Sequence, residues 1–90
     1  MLVAIMCHDR PDHLEVRKEN RAAHLAYIER TGVVKMAGPL MDSNGLMFGS
    51  LIVLDVDSMN DAEQWAANDP YSKAGLFEQN RIHEWNKVIG

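Results

Sequence analysis

The stretch Leu46-Met-Phe-Gly-Ser-Leu-Ile-Val-Leu-Asp-Val-Asp57 predicts a β-strand that is apolar on both sides. Successive side chains of an extended chain point to opposite faces of a sheet. On one face stand Leu51 and Val53, and on the other stand Ser50, Ile52, Leu54 and Val56. This pattern is typical of a strand in a sheet whose two faces are both covered.

A second strand is predicted just before this one, over residues 33–40. The residues between the two strands, Met41-Asp-Ser-Asn-Gly45, include the pair Asn44-Gly45. This pair supplies the positive φ angles that a tight hairpin needs. The two strands are therefore expected to be antiparallel neighbours.

The N-terminal third of the chain predicts a strand followed by a long helix. Residues 2–7 form a short continuous apolar run, of the kind that makes a buried strand. The helix is expected to begin near Asp12 and to end near Thr31, because Pro11 can start a helix but cannot lie within one. Gly32 follows as the residue that ends the helix in a left-handed conformation.

The C-terminal third predicts a helix, a short turn and a last strand. Ser58 is a typical N-cap, and the helix that follows ends before Pro70. Its apolar face is formed by Ala62, Trp65 and Ala66. Asp69 and Pro70 suit the cap and the first position of a further short turn, which Gly75 ends. Residues 76–89 alternate loosely and are expected to form the last strand.

The predicted order is β-α-β-β-α-β, the order of a ferredoxin-like α+β fold with a four-stranded antiparallel sheet. Right-handed crossovers place the first and third strands side by side in its centre. Both strands are apolar on both faces, whereas two helices cover only one face of such a sheet. We therefore expect a homodimer in which two copies pack sheet on sheet.

The overall composition indicates one small domain, residues 1–90, located in the cytoplasm. The 90 residues are 47% hydrophobic and carry a net charge of −4 without a basic run, so nucleic acid is not an expected partner. The longest apolar run is far shorter than the ~20 residues that cross a membrane, and no secretory signal is recognised. The single cysteine, Cys7, excludes an internal disulfide.

The long helix carries the most informative polar residues. Spacings of four and three residues place Arg17, Arg21 and His24 above one another on the helix surface. Arg21 falls within the predicted core stripe and the other two lie at its border; the stripe consists of Leu14, Leu25 and Ile28. The arginines either cover the sheet edge and pair with carboxylates, which is the more common role, or bind an anion.

His24 and Asp69 each have two alternative roles. A histidine on a helix is commonly structural, but an imidazole that titrates near neutral pH also suits an acid or a base. Asp69 is explained by N-capping alone, but its carboxylate is also a possible partner for the imidazole. The spacing of the two residues along the chain does not show whether they meet.

Metal ligands are conceivable in the loop before the long helix, which contains His8, Asp9, Asp12 and His13. Their spacing resembles no known ligand set, so we interpret them as a solvated loop. A haem needs an axial ligand, and His83 is the only other histidine in a predicted element; this alternative is the least favoured. Neither a metal nor a cofactor is expected.

Two short features of the strands have structural explanations. Gly38-Pro39 indicates a strand end or a bulge, where the backbone comes close to another group. Cys7 ends a buried strand and has no basic neighbour in sequence besides His8, so we interpret it as structural rather than nucleophilic.

Several separated motifs together resemble the YCII-related (YciI-like) family. The strongest is Trp65-Ala-Ala-Asn-Asp69-Pro70-Tyr71 with Ala74-Gly75 behind it, close to the family's W-x-x-x-D-P-Y-x-x-A-G. The other matches are Arg17-Lys-Glu-Asn-Arg21-Ala-Ala-His24-Leu25, Gly38-Pro39, Asp42-Ser-Asn44 and Ser50. The resemblance runs from the first predicted strand to the last and so covers essentially the whole chain.

The resemblance implies a ferredoxin-like fold that pairs into a dimeric α/β barrel. It also implies that His24 and Asp69 are catalytic, because they match the family's His–Asp pair. The architecture is similar to that of muconolactone isomerase and of a dehydrochlorinase that acts on chlorinated aromatic compounds. The residues expected to bind the substrate are Arg17, Arg21, Gly38, Pro39, Ser50 and Tyr71.

Two functions are compatible with these residues. The first is a cofactor-independent isomerase or lyase, in which the His–Asp pair acts as acid and base on a small anionic compound derived from aromatic degradation. An arginine would hold the anion. The second is a non-catalytic module of the same fold that binds a small ligand or another protein.

Overall fold

The chain forms one antiparallel sheet with helices packed on one of its faces. The computed structural model describes all 90 residues, Met1 to Gly90. The elements in chain order are β1 (Leu2–Asp9), α1 (Leu14–Thr31), β2 (Val34–Met41), β3 (Met47–Asp55), α2 (Met59–Asn68), α3 (Pro70–Lys73) and β4 (Phe77–Trp85). The predicted α+β, ferredoxin-like order is confirmed.

The strands lie in the order β2-β3-β1-β4, so β1 and β3 form the centre of the sheet as predicted. All neighbouring strands are antiparallel. On the face that the helices cover, the fully buried side chains include Val3 and Ile5 of β1 and Ile52 and Leu54 of β3. They belong to one apolar cluster with the α2 residues Ala62, Trp65 and Ala66. The core therefore lies between the two central strands and the helices.

α1 begins at Leu14, two residues later than the sequence predicts. Asp12 is the reason, because its φ of 61° is left-handed and does not fit a right-handed helix. His13 takes the N-cap position without a side-chain hydrogen bond. At the other end, Gly32 has a φ of 68° and its N–H donates to a carbonyl of the last turn, as predicted for a C-terminal glycine.

The core stripe predicted for α1 is only partly right. Ile28 packs against the core cluster and Leu14 is partly buried, but Leu25 is 45% exposed. Arg21, which the helical angle places in the stripe, is exposed. The fully buried residues of the helix are Arg17, His24 and Tyr27. Each has a hydrogen-bond partner, which is the condition for burying a polar group. None of the three helices has the length and apolar character needed to cross a membrane.

The hairpin between β2 and β3 lies where the sequence predicts it. β2 is shifted by one residue, and β3 begins one residue later and ends two earlier than predicted. In the loop, the Asp42 carboxylate accepts the N–H groups of Asn44 and Leu46 at 2.8 and 3.0 Å. Gly45 has a positive φ of 77°, but Asn44 does not. Only half of the Asn-Gly pair is therefore used as predicted.

The C-terminal elements follow their predicted caps. The Ser58 Oγ accepts the N–H of Asp61 at 3.1 Å and so caps α2. Asp69 caps α3, with Pro70 in the first helical turn. β4 ends at Trp85, which pairs with Leu2 at the start of β1, rather than at residue 89.

The second face of the sheet carries no helix. The register places Met6 beside Leu51, and Leu2 beside Trp85, on this face. Met6, Leu51 and Trp85 are 38%, 37% and 38% exposed, and Met36 of β2 is 52% exposed. The central strands therefore have apolar side chains on both faces, and no helix of the chain covers the second one.

Candidate active site

A pocket of about 160 Å³ lies between α1, the β2–β3 half of the sheet and α3. It is lined by all but one of the residues predicted to be catalytic or to bind substrate: Arg17, Arg21, His24, Gly38, Pro39, Ser50 and Tyr71. The exception is Asp69, which lies behind His24. Residues from four separate elements thus meet around one cavity.

His24 and Asp69 are in direct contact. The imidazole Nδ1 donates a hydrogen bond to Asp69 Oδ1 over 2.7 Å, and the two side chains are 8% and 2% exposed. A carboxylate only accepts hydrogen bonds, so Nδ1 carries the proton and the neutral imidazole has its lone pair on Nε2. The packing of α3 against α1 brings the two residues together, which the sequence alone does not show.

Asp69 is held in place by the start of α3. Its Oδ1 also accepts the backbone N–H of Tyr71 at 3.0 Å, which is the N-cap hydrogen bond of the helix. Pro70 occupies the first turn, where a missing N–H costs nothing. The two alternative roles of Asp69, cap and partner of His24, are therefore combined in one residue.

The second ring nitrogen of His24 opens to the pocket. No hydrogen bond within the protein reaches Nε2, yet every fully buried polar side-chain atom has a partner. Nε2 is therefore accessible, and the accessible space that His24 lines is the pocket. A ligand in the pocket meets a histidine nitrogen that can accept a proton.

Tyr71 forms the wall next to His24. The two rings stack with centroids 3.9 Å apart and an angle of 16° between their planes. The Arg17 guanidinium lies over the Tyr71 ring, 4.8 Å from its centre, within the range of a cation–π contact. Burial raises the pKa of the Tyr71 hydroxyl, and the charges of Arg17 and Arg21 offset this only in part. The phenol is therefore a neutral donor, and no protein group accepts its hydrogen bond.

Arg17 is a buried cation that the protein already neutralises. Its Nε and Nη2 donate to the two carboxylate oxygens of Asp9 at 2.7 and 2.8 Å, and Nη2 also donates to Ser50 Oγ at 3.0 Å. Burial by itself lowers the pKa of the Arg17 guanidinium, but the hydrogen bonds and charge of Asp9 outweigh it and raise the pKa above its ordinary value. The guanidinium is therefore charged and fixed, and Nη1 is the nitrogen that neither Asp9 nor Ser50 uses.

Asp9 is the residue that sequence reasoning misses. The sequence places it in a solvated loop with His8, but it is the last residue of β1, and its side chain is 6% exposed. Arg17 therefore pairs with a carboxylate, which is the more common role expected for the arginines of this helix. The partner could not be chosen from the sequence, because the chain has thirteen acidic residues and only the fold brings this one to α1.

Gly38 and Pro39 lie inside β2, not at its end. Gly38 pairs with Leu51 and Pro39 pairs with Ser50. The proline is tolerated because β2 is an edge strand, with one side free of hydrogen-bonded neighbours. A Cβ at Gly38 would meet no atom within 4 Å. The expected strand end is therefore wrong, and the irregularities of β2 lie on either side of this pair, at Val34/Met36 and Leu40/Met41.

Cys7 lies beside Ser50 in the sheet but does not have the character of a nucleophile. Its Sγ donates to Asn80 Oδ1 at 3.7 Å. Burial, followed by the negative charge of Asp69, raises the pKa of the Cys7 thiol to about 12, although Arg17 opposes this. The thiolate is the nucleophilic form, so the thiol is unreactive at neutral pH, in agreement with the structural interpretation.

Apolar side chains complete the pocket and were not predicted to belong to it. They are Leu25 and Ile28 of α1, Ala37 of β2, and Met47 and Ile52 of β3. The spacing of Leu25 and Ile28 by three residues is the signal that could have found them, but the same spacing is typical of a core stripe. The exposed Leu25 is therefore explained by the pocket that it lines.

The other histidines do not join His24. His83 pairs with Ala4 on the face of the sheet without helices. His8 pairs with Gly49, and its ring lies 5.8 Å from that of Phe48. The ring of His13 contacts the carbonyl of Pro11 at 2.9 Å. The candidate site therefore contains a single imidazole.

Comparison with known proteins assigns the chain to a family. The YCII-related domain matches residues 1–86. Protein YciI of Escherichia coli O6:H1 (strain CFT073) is 35% identical over 98 residues, covering 99% of this chain and 100% of that protein. A protein of Haemophilus influenzae (strain KW20 / Rd) is 30% identical, with the same coverage. The match extends over the full length of these relatives.

Solved structures share the fold. The 5-chloro-2-hydroxyhydroquinone dehydrochlorinase TftG from Burkholderia phenoliruptrix AC1100, in complex with 2,5-dihydroxybenzoquinone, is 35% identical, with a TM-score of 0.89 over 96% of this chain and 94% of that one. An antibiotic biosynthesis monooxygenase is 9% identical, with a TM-score of 0.60 over 99% of this chain and 100% of that one, and so shows the fold alone. From the domain match and the identity to Protein YciI together, the chain belongs to the YCII-related family.

Proposed function

We propose that the protein is a cofactor-independent lyase or isomerase that moves a proton on a small anionic compound from aromatic degradation. His24 is the proposed acid and base, with Asp69 as its partner. The observation that carries the proposal is the imidazole itself, which is tied to a buried carboxylate through Nδ1 and open to the pocket through Nε2.

The His24–Asp69 pair suits proton transfer in both directions. The hydrogen bond to Asp69 fixes the tautomer in which Nε2 holds a lone pair. When Nε2 takes a proton, the buried carboxylate stabilises the positive charge on the ring. An isomerase would return the proton at another atom of the substrate, whereas a lyase would release it to solvent.

Dehydrochlorination illustrates the lyase reaction. His24 Nε2 removes a proton from the substrate, the electron pair left behind moves toward the carbon that bears chlorine, and chloride leaves with the electrons of the C–Cl bond. Negative charge develops on a substrate oxygen during such a step, and fixed donors stabilise it. The free donors at the pocket are Arg17 Nη1, the Tyr71 hydroxyl and the Arg21 guanidinium.

The size of the pocket and one relative support a single-ring substrate. A cavity of roughly 150 Å³ holds one benzene molecule, and the volume here is about 160 Å³. TftG, at 35% identity, is a dehydrochlorinase of a single-ring compound and binds 2,5-dihydroxybenzoquinone. The polar donors on α1 and the apolar wall on β3 fit a flat ring that carries oxygens.

The test compares turnover and binding in His24→Ala and Asp69→Asn. Substrates are a panel of chlorinated hydroxyhydroquinones and unsaturated lactones, and 2,5-dihydroxybenzoquinone is the binding probe. We expect kcat to fall by roughly a hundredfold or more in both variants, because a positioned acid–base group contributes about 10²–10⁴ in rate. The Kd of the probe should change little, because neither change removes a cation from the pocket.

Asp69→Asn is the sharper variant because asparagine also caps helices well. It keeps the acceptor for the Tyr71 N–H but loses the carboxylate that orients His24. Asp61→Asn, at an exposed position of α2, serves as the matched control and should retain wild-type turnover. If no compound turns over while His24→Ala weakens the probe, the protein is a binding module and the enzymatic proposal is wrong.

We also propose that the 90 residues act as one domain and pair into a homodimer through the face of the sheet without helices. That face exposes Met6, Met36, Leu51 and Trp85, and apolar patches of this kind mark association sites. A second copy is the simplest cover, because the same patch then buries itself on both protomers. Sedimentation equilibrium at micromolar concentration should give twice the monomer mass, and a stable monomer would contradict the dimer.

A further inference from the structure

The two arginines of the pocket differ in charge balance, although they lie one turn apart on α1. Arg17 is 2% exposed and makes two hydrogen bonds to the Asp9 carboxylate. Arg21 is exposed and makes no ion pair or hydrogen bond with the protein. Both line the same pocket. An anionic ligand therefore meets one arginine that already has a counter-charge and one that does not.

Asp9 supplies the counter-charge of Arg17. The carboxylate lies against Nε and Nη2, on the side chain's inner edge, at 2.7 and 2.8 Å. A ligand near Nη1 meets a donor whose positive charge is balanced by an equal negative charge a few ångströms behind it. Arg17 can therefore donate a hydrogen bond, and the paired carboxylate reduces its net attraction for a free anion.

Arg21 is the cation of the pocket without a partner. The other charged group nearby, Asp69, does not line the pocket and is bonded to His24 and to the Tyr71 N–H. The charge of Arg17 and then that of Arg21 lower the pKa of Tyr71 against the effect of burial, so Arg21 acts on the pocket although it is exposed. A negative group of the ligand thus meets in Arg21 an exposed cation that no carboxylate pairs.

From this we infer that Asp9 sets the charge specificity of the pocket: by pairing with Arg17 it leaves Arg21 as the unpaired cation that recognises one negative group on a single-ring ligand. Asp9 is a positioning residue, because it acts through Arg17 and does not line the pocket. The inference rests on the proposed function only in placing the ligand in the same pocket.

Benzoate and benzamide are the probes that test it. They have nearly the same shape and differ by one negative charge, so the ratio of their Kd values measures charge recognition alone. Binding is measured by calorimetry and by thermal shift of the full chain at low salt. The wild type should prefer benzoate by roughly threefold, because Arg21 is exposed and solvent screens its charge.

Arg21→Gln should abolish the preference for benzoate, and Arg21→Lys should keep it. Asp9→Asn should raise the preference roughly tenfold, because it leaves a buried guanidinium without its counter-charge and the anion then supplies one. The double variant Asp9→Asn with Arg17→Gln removes both charges of the pair and should return the preference to the wild-type value. A purely structural role for Asp9 would lower the Tm without changing the ratio, and that result would overturn the inference.

If Asp9→Asn does not fold, the Arg21 variants still test the inference, because they leave the Arg17–Asp9 ion pair intact. A benzoate preference that survives Arg21→Gln would also overturn the inference. Neither readout depends on turnover. If Arg21→Gln loses the benzoate preference but the wild type turns over no compound, the inference stands and the enzymatic function is wrong. If the wild type turns over a compound but Arg21→Gln keeps the preference, the enzymatic function stands and the inference is wrong.

Discussion

Two buried tyrosines, Tyr27 and Tyr71, show how hydrogen bonding separates a structural residue from a ligand-facing one. They are 7% and 3% exposed, and burial raises the pKa of both hydroxyls. The Tyr27 hydroxyl donates to the carbonyl of Trp65 at 2.9 Å. The Tyr71 hydroxyl has no acceptor in the protein. Every fully buried polar side-chain atom has a partner, so the Tyr71 hydroxyl is accessible, and it lies at the pocket that Tyr71 lines, where a ligand can accept its hydrogen bond.

Replacing each tyrosine by phenylalanine tests this difference. Tyr27→Phe should lower the free energy of unfolding by about 1 kcal/mol, because the carbonyl of Trp65 loses its donor. Tyr71→Phe should change it by less than about 0.5 kcal/mol but weaken the binding of 2,5-dihydroxybenzoquinone. Urea denaturation and calorimetry provide the two measurements. Equal losses of stability in both variants would show that the Tyr71 hydroxyl is hydrogen-bonded within the protein and is not free for a ligand.

At the scale of elements, the contact between β1 and β3 limits which side chains the sheet can hold. Gly49 of β3 faces His8 across the ladder, and a Cβ built at this position collides with the backbone carbonyl oxygen of Cys7. A backbone atom cannot move aside as a side chain can. Gly38 of β2, by contrast, has open space where a Cβ would lie. Both glycines lie within strands, but only Gly49 lacks room for a side chain.

Gly49→Ala should therefore be far more damaging than Gly38→Ala. We expect Gly49→Ala to lower the free energy of unfolding by about 3 kcal/mol, the upper part of the range for overpacked positions. Gly38→Ala should stay within about 1 kcal/mol of the wild type, since its new methyl group meets no atom. Thermal or urea denaturation measures both. Similar values for the two variants would mean that the central strands separate easily at Gly49.

Helix α1 shows where reasoning from the sequence succeeds and where it stops. The end of the helix at Gly32 is predicted correctly. Its start is not, because Asp12 has a left-handed conformation and lies outside the helix. Its buried face is misread because hydrophobic spacing assumes that burial is apolar, whereas Arg17 and His24 are buried by partners from other elements. A partner is a property of the tertiary fold. Periodicity within one helix therefore cannot reveal it.

At the scale of the whole molecule, the order of elements was predictable because each boundary depends on local turn and cap chemistry. The polar residues of the pocket, with Gly38 and Pro39, were also predictable, through motifs that resemble a family, but its apolar lining was not. The ion pair of Arg17 with Asp9 was not, because it joins the end of β1 to the first turns of α1 across a bend of the chain. The charge balance of the site is thus the part that only the structure provides.

The exposed sheet face yields the last prediction, Leu51→Lys. Leu51 lies on the central strand β3, next to Met6, and is 37% exposed in the single chain. In the proposed homodimer it becomes buried, and an unpaired lysine there would place a charge in an apolar interface at a cost of several kcal/mol. We expect the variant to sediment as a monomer at concentrations where the wild type is a dimer.

Leu46→Lys is the control for this experiment. Leu46 is 50% exposed but lies in the β2–β3 loop rather than on the sheet face, so the variant should remain dimeric. Circular dichroism should show native secondary structure in both variants, because neither leucine belongs to the buried core. The pocket opens on the opposite face of the sheet, so a folded Leu51→Lys monomer should still bind 2,5-dihydroxybenzoquinone. A Leu51→Lys variant that stays dimeric would move the interface to another surface of the molecule.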